Sequence, residues 1–265
     1  MEHCKHIPAM IPLDAHAFAL HEAIGRAFVE LEPWMQVSDW LHLAAGIAEV
    51  KYNSRHDDGP MYCEPIGPWN DRRDAIRSEY LLHATRLLYV CCSIESAVRQ
   101  FLGPDAARAH GGIVRAIGAL VAGSTAVVEP RGYEELAWHI AITGRGCNAS
   151  FLGRVLAAAS VPFRAAGAFL AYEVRNQLAH GIVRLPDVGD DEEGSLQRQV
   201  SLLAMSTRVL LLTLQMMIAV HVDKPDVVLD DDDEPAPAHR ERFATLHLAR
   251  GRNIGVGGPA GCVKV

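Results

Sequence analysis

Aromatic residues and lysines are scarce in this sequence of 265 residues. Aromatics make up 6%, and only four of the 25 basic residues are lysine. The six cysteines form no C-x-x-C pair, and Cys91 and Cys92 lie together in an apolar run, which indicates small core residues rather than disulfides. The amino terminus has no basic stretch followed by an apolar one, so we predict no secretory signal and a cytoplasmic location.

Common catalytic and cofactor motifs are absent as well. The sequence contains no H-E-x-x-H, no G-x-x-x-x-G-K-[ST] and no G-x-S-x-G. The run "GVGGPAG" near the carboxyl terminus follows no strand and is therefore a weak phosphate-loop candidate. The segment "HCKH" at residues 3–6 offers metal ligands, but nothing nearby completes a tetrahedral site. We therefore predict no metal and no cofactor.

Helix-forming segments dominate the chain. Hydrophobic residues amount to 49%, enough for a sizeable core, and apolar positions recur at helical spacing without strand-like alternation. We predict an all-α protein, a bundle around three long helices, with Ser38 or Asp39 capping the second helix. The predicted helices cover residues 14–31, 38–50, 70–102, 113–122, 133–142, 149–160, 162–182 and 195–222, with a turn at 143–148 and a short terminal helix at 239–250.

One predicted helix is apolar over a length that could cross a membrane. The segment from Leu202 to Val222 nevertheless contains Arg208, Gln215 and His221, and its flanks are acidic. A helix buried in the protein core, and no membrane contact, is therefore the prediction for this segment.

The net charge of −7 is unevenly distributed. Residues 187–193 hold five acids, and residues 223–234 hold seven acids and one lysine. Without these 12 acids and one lysine, the rest of the chain holds 20 acids against 24 bases. The body of the protein is thus mildly basic, which permits an RNA substrate without arguing for one.

The segment "YEVRNQLAHG", residues 172–181, combines Arg175, Asn176 and His180 near the end of a predicted helix. The Arg-x4-His spacing alone is uninformative, since about one match is expected by chance, and Arg242 with His247 forms a second match. Because the chain has only five asparagines, an Asn directly after the Arg lowers the chance expectation to about 0.02. The full pattern is therefore the informative one.

These residue types suit metal-independent RNA cleavage. The reaction needs an acceptor for the ribose 2′-OH proton, a donor for the leaving 5′-oxygen, and positive charge beside the phosphorane. Histidine transfers protons near neutral pH, arginine holds two phosphate oxygens, and asparagine can orient either partner.

Helix geometry makes this interpretation conditional. Asn176 and His180 share a helix face, whereas Arg175 and His180 lie about 140° apart around the axis. Three solutions are open: a helix that loosens near Gly181, an arginine side chain that reaches around the helix, or a site shared across a dimer.

The stretch "EVRNQLAHG" resembles the signature of the HEPN superfamily (higher eukaryotes and prokaryotes nucleotide-binding), whose active members carry an Arg-x4–6-His motif. The resemblance covers residues 76–222, including "LLYVCCSIESAVRQFL" and the last long helix. It implies a helical bundle of HEPN type and a metal-independent endoribonuclease of toxin–antitoxin, abortive-infection or CRISPR-linked defence. It also implies a homodimer whose two motifs face each other, and an antitoxin or a nucleotidyltransferase as a partner.

The resemblance suggests three regions. We expect residues 1–70 to form additional N-terminal helices of unknown role, residues 71–222 to form the HEPN-like domain, and residues 223–265 to form an acidic, Pro- and Gly-rich, flexible tail.

Roles follow for five residues. His180 is the expected general acid and base, Arg175 the phosphate-stabilising residue, and Asn176 the residue that aligns them. Arg184 lies four residues after His180 and is a candidate for RNA binding, with a plain surface arginine as the alternative. Glu95 is expected to support the site by pairing with Arg175.

Two further interpretations stay open. The protein could be a non-catalytic nucleotide- or RNA-binding module that acts with a partner, with Tyr172 as an acceptor for modification or as a packing residue. It could also be a helical scaffold in which Arg175 pairs with Glu173 or Glu95. A buried His180 would favour the scaffold.

Overall fold

The computed structural model describes residues 7–27, 32–53, 66–122, 129–147, 163–182, 193–222 and 243–249, together with residues 151 and 153. Within these residues the chain forms α-helices and no β-strand, which confirms the predicted all-α class. The helices are α1 (Leu13–Ala27), α2 (Met35–Gly46), α3 (Ile66–Leu102), α4 (Ala106–Ala109), α5 (Ile113–Ala122), α6 (Tyr133–Cys147), α7 (Phe163–Ala179) and α8 (Glu193–Val222). A 3-10 turn, Glu32–Trp34, precedes α2.

Helix α8 lies at the centre of the bundle, in contact with α1, α3, α5, α6 and α7. Every residue from Ser206 to Ile218 is buried, so this helix is covered on all sides. The hydroxyls of Ser206, Thr207 and Thr213 each donate to the carbonyl oxygen four residues earlier, at 2.7 to 2.8 Å. These three hydroxyls are therefore satisfied within the helix itself.

Two described helices, Pro68–Leu102 and Ser195–Val220, are long and apolar enough to cross a membrane by length and composition alone. In the second, 78% of the apolar window is buried against the rest of the protein. The apolar surface of α8 thus packs inside the bundle, as core helices do.

The amino-terminal helices share this core. Helix α1 packs against α2 and α8, and α2 packs against α3. Leu20, Ile24 and Leu41 are fully buried in the same apolar cluster as Ile94 and Leu211. The described part of residues 1–70 is therefore built into one core with the later helices.

A buried polar cluster fastens the carboxyl-terminal segment, residues 243–249, so this part of the predicted flexible tail is packed against the bundle instead. His16 Nε2 lies 3.1 Å from the side-chain oxygen of Gln215, and the Gln215 amide donates to a backbone carbonyl of the segment. His247 is fully buried, with Nε2 3.0 Å from the Arg131 carbonyl oxygen. The rings of His16 and His247 lie 5.9 Å apart, and the guanidinium of Arg208 donates to a carbonyl of the amino-terminal segment.

The predicted terminal helix at 239–250 is largely wrong. Only Phe243 and Ala244 are helical in the described part, and the chain then turns. Leu248 forms an isolated antiparallel bridge with Met10, and the Ala249 N–H donates to the Ala9 carbonyl at 3.0 Å. Pairing with the amino-terminal segment replaces helical hydrogen bonds here.

Two predicted helix starts are wrong. Helix α2 begins at Met35, so Ser38 lies inside it, and its hydroxyl lies 2.7 Å from His21 Nδ1 instead of capping. Helix α3 begins at Ile66 rather than at Asn70 or Asp71, because Pro68 is tolerated in a first helical turn. In both cases a residue that resembles a boundary signal is accommodated within the helix.

The predicted turn at 143–148 is also wrong, since α6 continues to Cys147. Gly144 is buried, and a Cβ there would lie 2.6 Å from the ring of Phe151. The glycine permits close packing rather than a turn. The predicted helix at 149–160 lies outside the described residues apart from Phe151 and Gly153, both helical.

Helix α7 carries the Arg–Asn–His motif and is held closely by α6 and α8. A Cβ at Gly167 would lie 2.8 Å from atoms of both Tyr133 and Val209, so only glycine fits this crossing. The Tyr133 hydroxyl donates to the Arg164 carbonyl at 2.9 Å and accepts from the Ala168 N–H at 3.2 Å. In a regular α-helix the Ala168 N–H would donate to the Arg164 carbonyl, four residues earlier. The Tyr133 hydroxyl lies between these two groups and bonds to both.

Candidate functional site

The motif lies where α7 ends. Gly181 has a φ of +63°, the Ile182 N–H donates to the Gln177 carbonyl at 2.9 Å, and the Gly181 N–H donates to the Leu178 carbonyl at 3.1 Å. This is a Schellman ending, which favours glycine in the left-handed conformation. His180 is thereby the last residue before the chain turns, and it is exposed.

Arg175 lies one turn before this ending and contacts two polar side chains. Its Nη1 donates to Oδ1 of Asn176 at 3.2 Å, and its Nη2 lies 4.0 Å from the Glu95 carboxylate on α3. The side chains of Arg175 and Glu95 are 35% and 30% exposed, so this ion pair lies at the surface of the bundle. The pairing of Arg175 with Glu95, which the supporting role and the scaffold interpretation both predict, is present, but at the surface, where such a pair contributes little stability.

The structure brings together Arg175, Asn176 and Glu95, and places His180 on the same helix face as Asn176. The His180 N–H donates to the Asn176 carbonyl at 2.9 Å, which continues the helical pattern to the end of the motif. Arg175 contacts its neighbour Asn176 and the Glu95 carboxylate, and no contact between Arg175 and His180 is present among the described residues. Arg184 lies outside the described residues.

The expectation of two core cysteines holds for only one of them. Cys91 is buried, whereas Cys92 is half-buried beside the motif, and both thiols are free. Burial raises the pKa of Cys92, Glu95 raises it further, and Arg175 and Arg99 lower it. Helical spacing from Glu95 could have drawn attention to Cys92 and Arg99, three residues before and four residues after it.

Tyr172 is buried against α3, with its hydroxyl 3.5 Å from the Cys91 carbonyl oxygen. Burial raises the pKa of Tyr172 well above its ordinary value, and the neighbouring Cys91 and Glu95 act in the same direction. The packing interpretation of Tyr172 therefore fits the structure, and an accessible acceptor for modification does not.

Exposure separates the motif from the other Arg–His spacings in the chain. His247 of the second Arg-x4-His match is fully buried and bonded to a backbone carbonyl. His83, six residues after Arg77, is half-buried. Burial lowers its pKa, and the positive charge of Arg86 lowers it further. Of these three histidines only His180 is exposed to solvent, which a substrate-binding histidine requires.

No group of three His, Cys, Asp or Glu side chains in the described ranges is placed to hold a metal ion. The "HCKH" segment at residues 3–6 lies outside those ranges. The chain matches no protein-family model, and comparison with curated proteins and with solved structures finds no match either.

Proposed function

We propose that this protein is a cytoplasmic, metal-independent endoribonuclease of HEPN type that acts in toxin or phage-defence biology. The observation that carries the proposal is the exposed His180 at the end of α7, about one turn after Arg175, whose guanidinium contacts Asn176 and lies 4.0 Å from the Glu95 carboxylate. The side chain of Arg175 is about one-third exposed and His180 is exposed, so a phosphodiester that approaches this helix end from solvent can contact both.

The reaction follows from these groups. The ribose 2′-oxygen attacks phosphorus, its proton passes to a histidine, and the bond from phosphorus to the 5′-oxygen breaks. The leaving 5′-oxygen takes a proton from a second histidine, and Arg175 stabilises the charge on the phosphorane. The products carry 2′,3′-cyclic phosphate and 5′-hydroxyl ends.

A homodimer supplies the second histidine, namely His180 of the partner subunit. One copy of the motif offers a single imidazole, whereas two proton transfers on opposite sides of the phosphorus are served best by two. We therefore expect specific activity to rise with protein concentration through the range in which sedimentation shows dimer formation.

The test is RNA cleavage in the presence of EDTA, with products identified by mass spectrometry. His180→Ala and Arg175→Ala should each lower the rate at least a hundredfold, in line with the loss of a general acid or base or of a charge-stabilising group. His110→Ala is the matched control, since His110 is likewise an exposed residue at a helix C-cap. Undiminished cleavage by both site variants would contradict the mechanism.

The same experiment distinguishes the alternative, a non-catalytic RNA- or nucleotide-binding module that acts with a partner. That function predicts RNA binding by the wild type without cleavage at any protein concentration. A buried Tyr172 gives no support to modification at that residue.

A further inference from the structure

We propose that Arg99 of α3 is a second substrate-binding residue of this site, holding a phosphate of single-stranded RNA next to the one that Arg175 contacts. The inference rests on the proposed ribonuclease function and extends it to the way the substrate strand is held across two helices.

Helical spacing places Arg99 beside the motif. Cys92, Glu95 and Arg99 are separated by three and four residues, so they form one stripe along α3. The middle member of the stripe, Glu95, lies 4.0 Å from Arg175 of α7. Arg99 is therefore one helical turn from a direct neighbour of Arg175, where α3 and α7 are in contact.

The electrostatics of Cys92 agree with this placement. Burial and Glu95 raise the pKa of the Cys92 thiol, whereas Arg175 and Arg99 both lower it. Two guanidinium groups from different helices thus lie within interaction range of one sulfur atom. Because Glu95 offsets only one of these charges, Glu95, Arg99 and Arg175 together keep a net positive charge, as a phosphate-binding surface requires.

Arg99 is also available to a ligand. It is exposed, and it forms no ion pair with any other residue that the structure describes, although Glu95 lies four residues before it. The equivalent pair in the last turn of α1 behaves differently, since Arg26 lies 3.3 Å from Glu22. At α3 the carboxylate turns to Arg175 instead, which leaves the Arg99 fork facing solvent.

A purely structural role for Arg99 is the competing explanation. A cation in the last turn of a helix compensates the negative end of the helix dipole, and Arg99 occupies the last turn of α3. A lysine would retain that compensation but would lose the bidentate geometry of the guanidinium. Arg99→Lys and Arg99→Gln together therefore separate the two roles.

The experiment measures binding of a short single-stranded RNA by fluorescence anisotropy, in a His180→Ala background that prevents cleavage. We expect Arg99→Gln to raise Kd about tenfold, since it removes a charged hydrogen bond. The slope of log Kd against log salt should fall by about 0.7, the value for one phosphate contact on a single strand. Arg99→Lys should retain most of the salt slope with weaker binding.

Arg26→Gln is the matched control, as an exposed last-turn arginine four residues after a glutamate. It should leave Kd and the salt slope unchanged. In otherwise wild-type protein, Arg99→Gln should raise KM for RNA cleavage while kcat stays within about twofold. Thermal melting of each variant verifies that the fold is retained.

Two results overturn the inference, and they differ. If the parent protein binds RNA and Arg99→Gln binds with the same Kd and salt slope, Arg99 has no role in binding, and the proposed function stands. If the wild type neither binds nor cleaves RNA, the proposed function fails and the role of Arg99 fails with it.

Discussion

Arg175 donates a hydrogen bond to the side-chain oxygen of Asn176, the residue directly after it, at 3.2 Å. Adjacent side chains on a helix point about 100° apart, so the contact requires at least one of the two side chains to turn toward the other. Asn176 shares its face with His180, four residues later. The contact therefore links the Arg175 guanidinium to the residue that shares a helix face with His180.

This contact predicts the effect of Asn176→Ala. Without the side-chain oxygen, the Arg175 guanidinium loses its orientation, and we expect kcat for RNA cleavage to fall about tenfold, equivalent to about 1.4 kcal/mol in the activation barrier. Asn53→Ala, outside the motif, is the control. Steady-state kinetics on a defined RNA measures both variants, and an unchanged kcat for Asn176→Ala would remove the aligning role.

Glu95→Gln tests the ion pair across α3 and α7. Since both partners are about one-third exposed, the free energy of unfolding should change by less than about 1 kcal/mol. Removing the carboxylate leaves the charge of Arg175 uncompensated, so we expect RNA to bind about threefold more tightly, on the order of one surface charge interaction. Anisotropy and urea denaturation measure the two quantities, and weaker RNA binding would show that Glu95 mainly positions Arg175.

Acidification should destabilise the fold through the buried histidine cluster. Burial lowers the pKa of His16 and of His247, and the nearby Arg208 lowers both further. The hydrogen bond with Gln215 raises the pKa of His16, and the bond with the Arg131 carbonyl raises that of His247, so both oppose the lowering. Asp14 interacts with the charge of Arg208. Below the ordinary histidine pKa of about 6.5, the unfolded chain binds more protons than the folded one. The free energy of unfolding therefore decreases as the pH decreases.

Urea denaturation at pH 7.5 and at pH 5.5 measures this loss. The midpoint should be lower at the acidic pH, and His16→Gln should reduce the difference between the two midpoints because the group that resists protonation is gone. Equal midpoints for the wild type at both pH values would contradict the role of the cluster.

Gly167→Ala should destabilise the protein by about 1–3 kcal/mol, as overpacking of a tight crossing does. The added methyl group would overlap Tyr133 and Val209, which belong to α6 and α8. Gly25→Ala is the matched control, because a Cβ at this position in α1 meets nothing within 4 Å. That variant should be neutral or stabilised by about 0.5–1 kcal/mol. Thermal melting compares the two, and equal melting temperatures would refute the close approach.

Tyr133→Phe removes a hydroxyl that bridges the Arg164 carbonyl and the Ala168 N–H. Both backbone groups lie in the first turns of α7, and the Ala168 amide is buried, so we expect a loss of about 1–3 kcal/mol of stability. Tyr89→Phe, at a half-buried position against Trp40, should cost less. Hydrogen exchange at the Ala168 amide gives a local measure, and unchanged protection there would argue against the bridge.

Apolar periodicity predicted the helices well where packing alone decides them. The predicted 113–122 coincides with α5, and the predicted 195–222 differs from α8 by two residues at its start. Errors arose where a polar or special residue had a distant partner. Ser38 contacts His21, and Gly144 makes room for Phe151, so neither acts as the boundary signal it resembles.

The sequence by itself determined the all-α class and singled out Arg175, Asn176, His180 and Glu95, because helical periodicity and residue type are local properties. Only the tertiary structure decided which Arg–His spacing is accessible. His247 is buried against His16, Arg131 and the amino-terminal segment, whereas Gly181 ends α7 at the surface and leaves His180 in solvent. Exposure depends on which distant segments pack over a residue, and that information is not contained in the spacing of a motif.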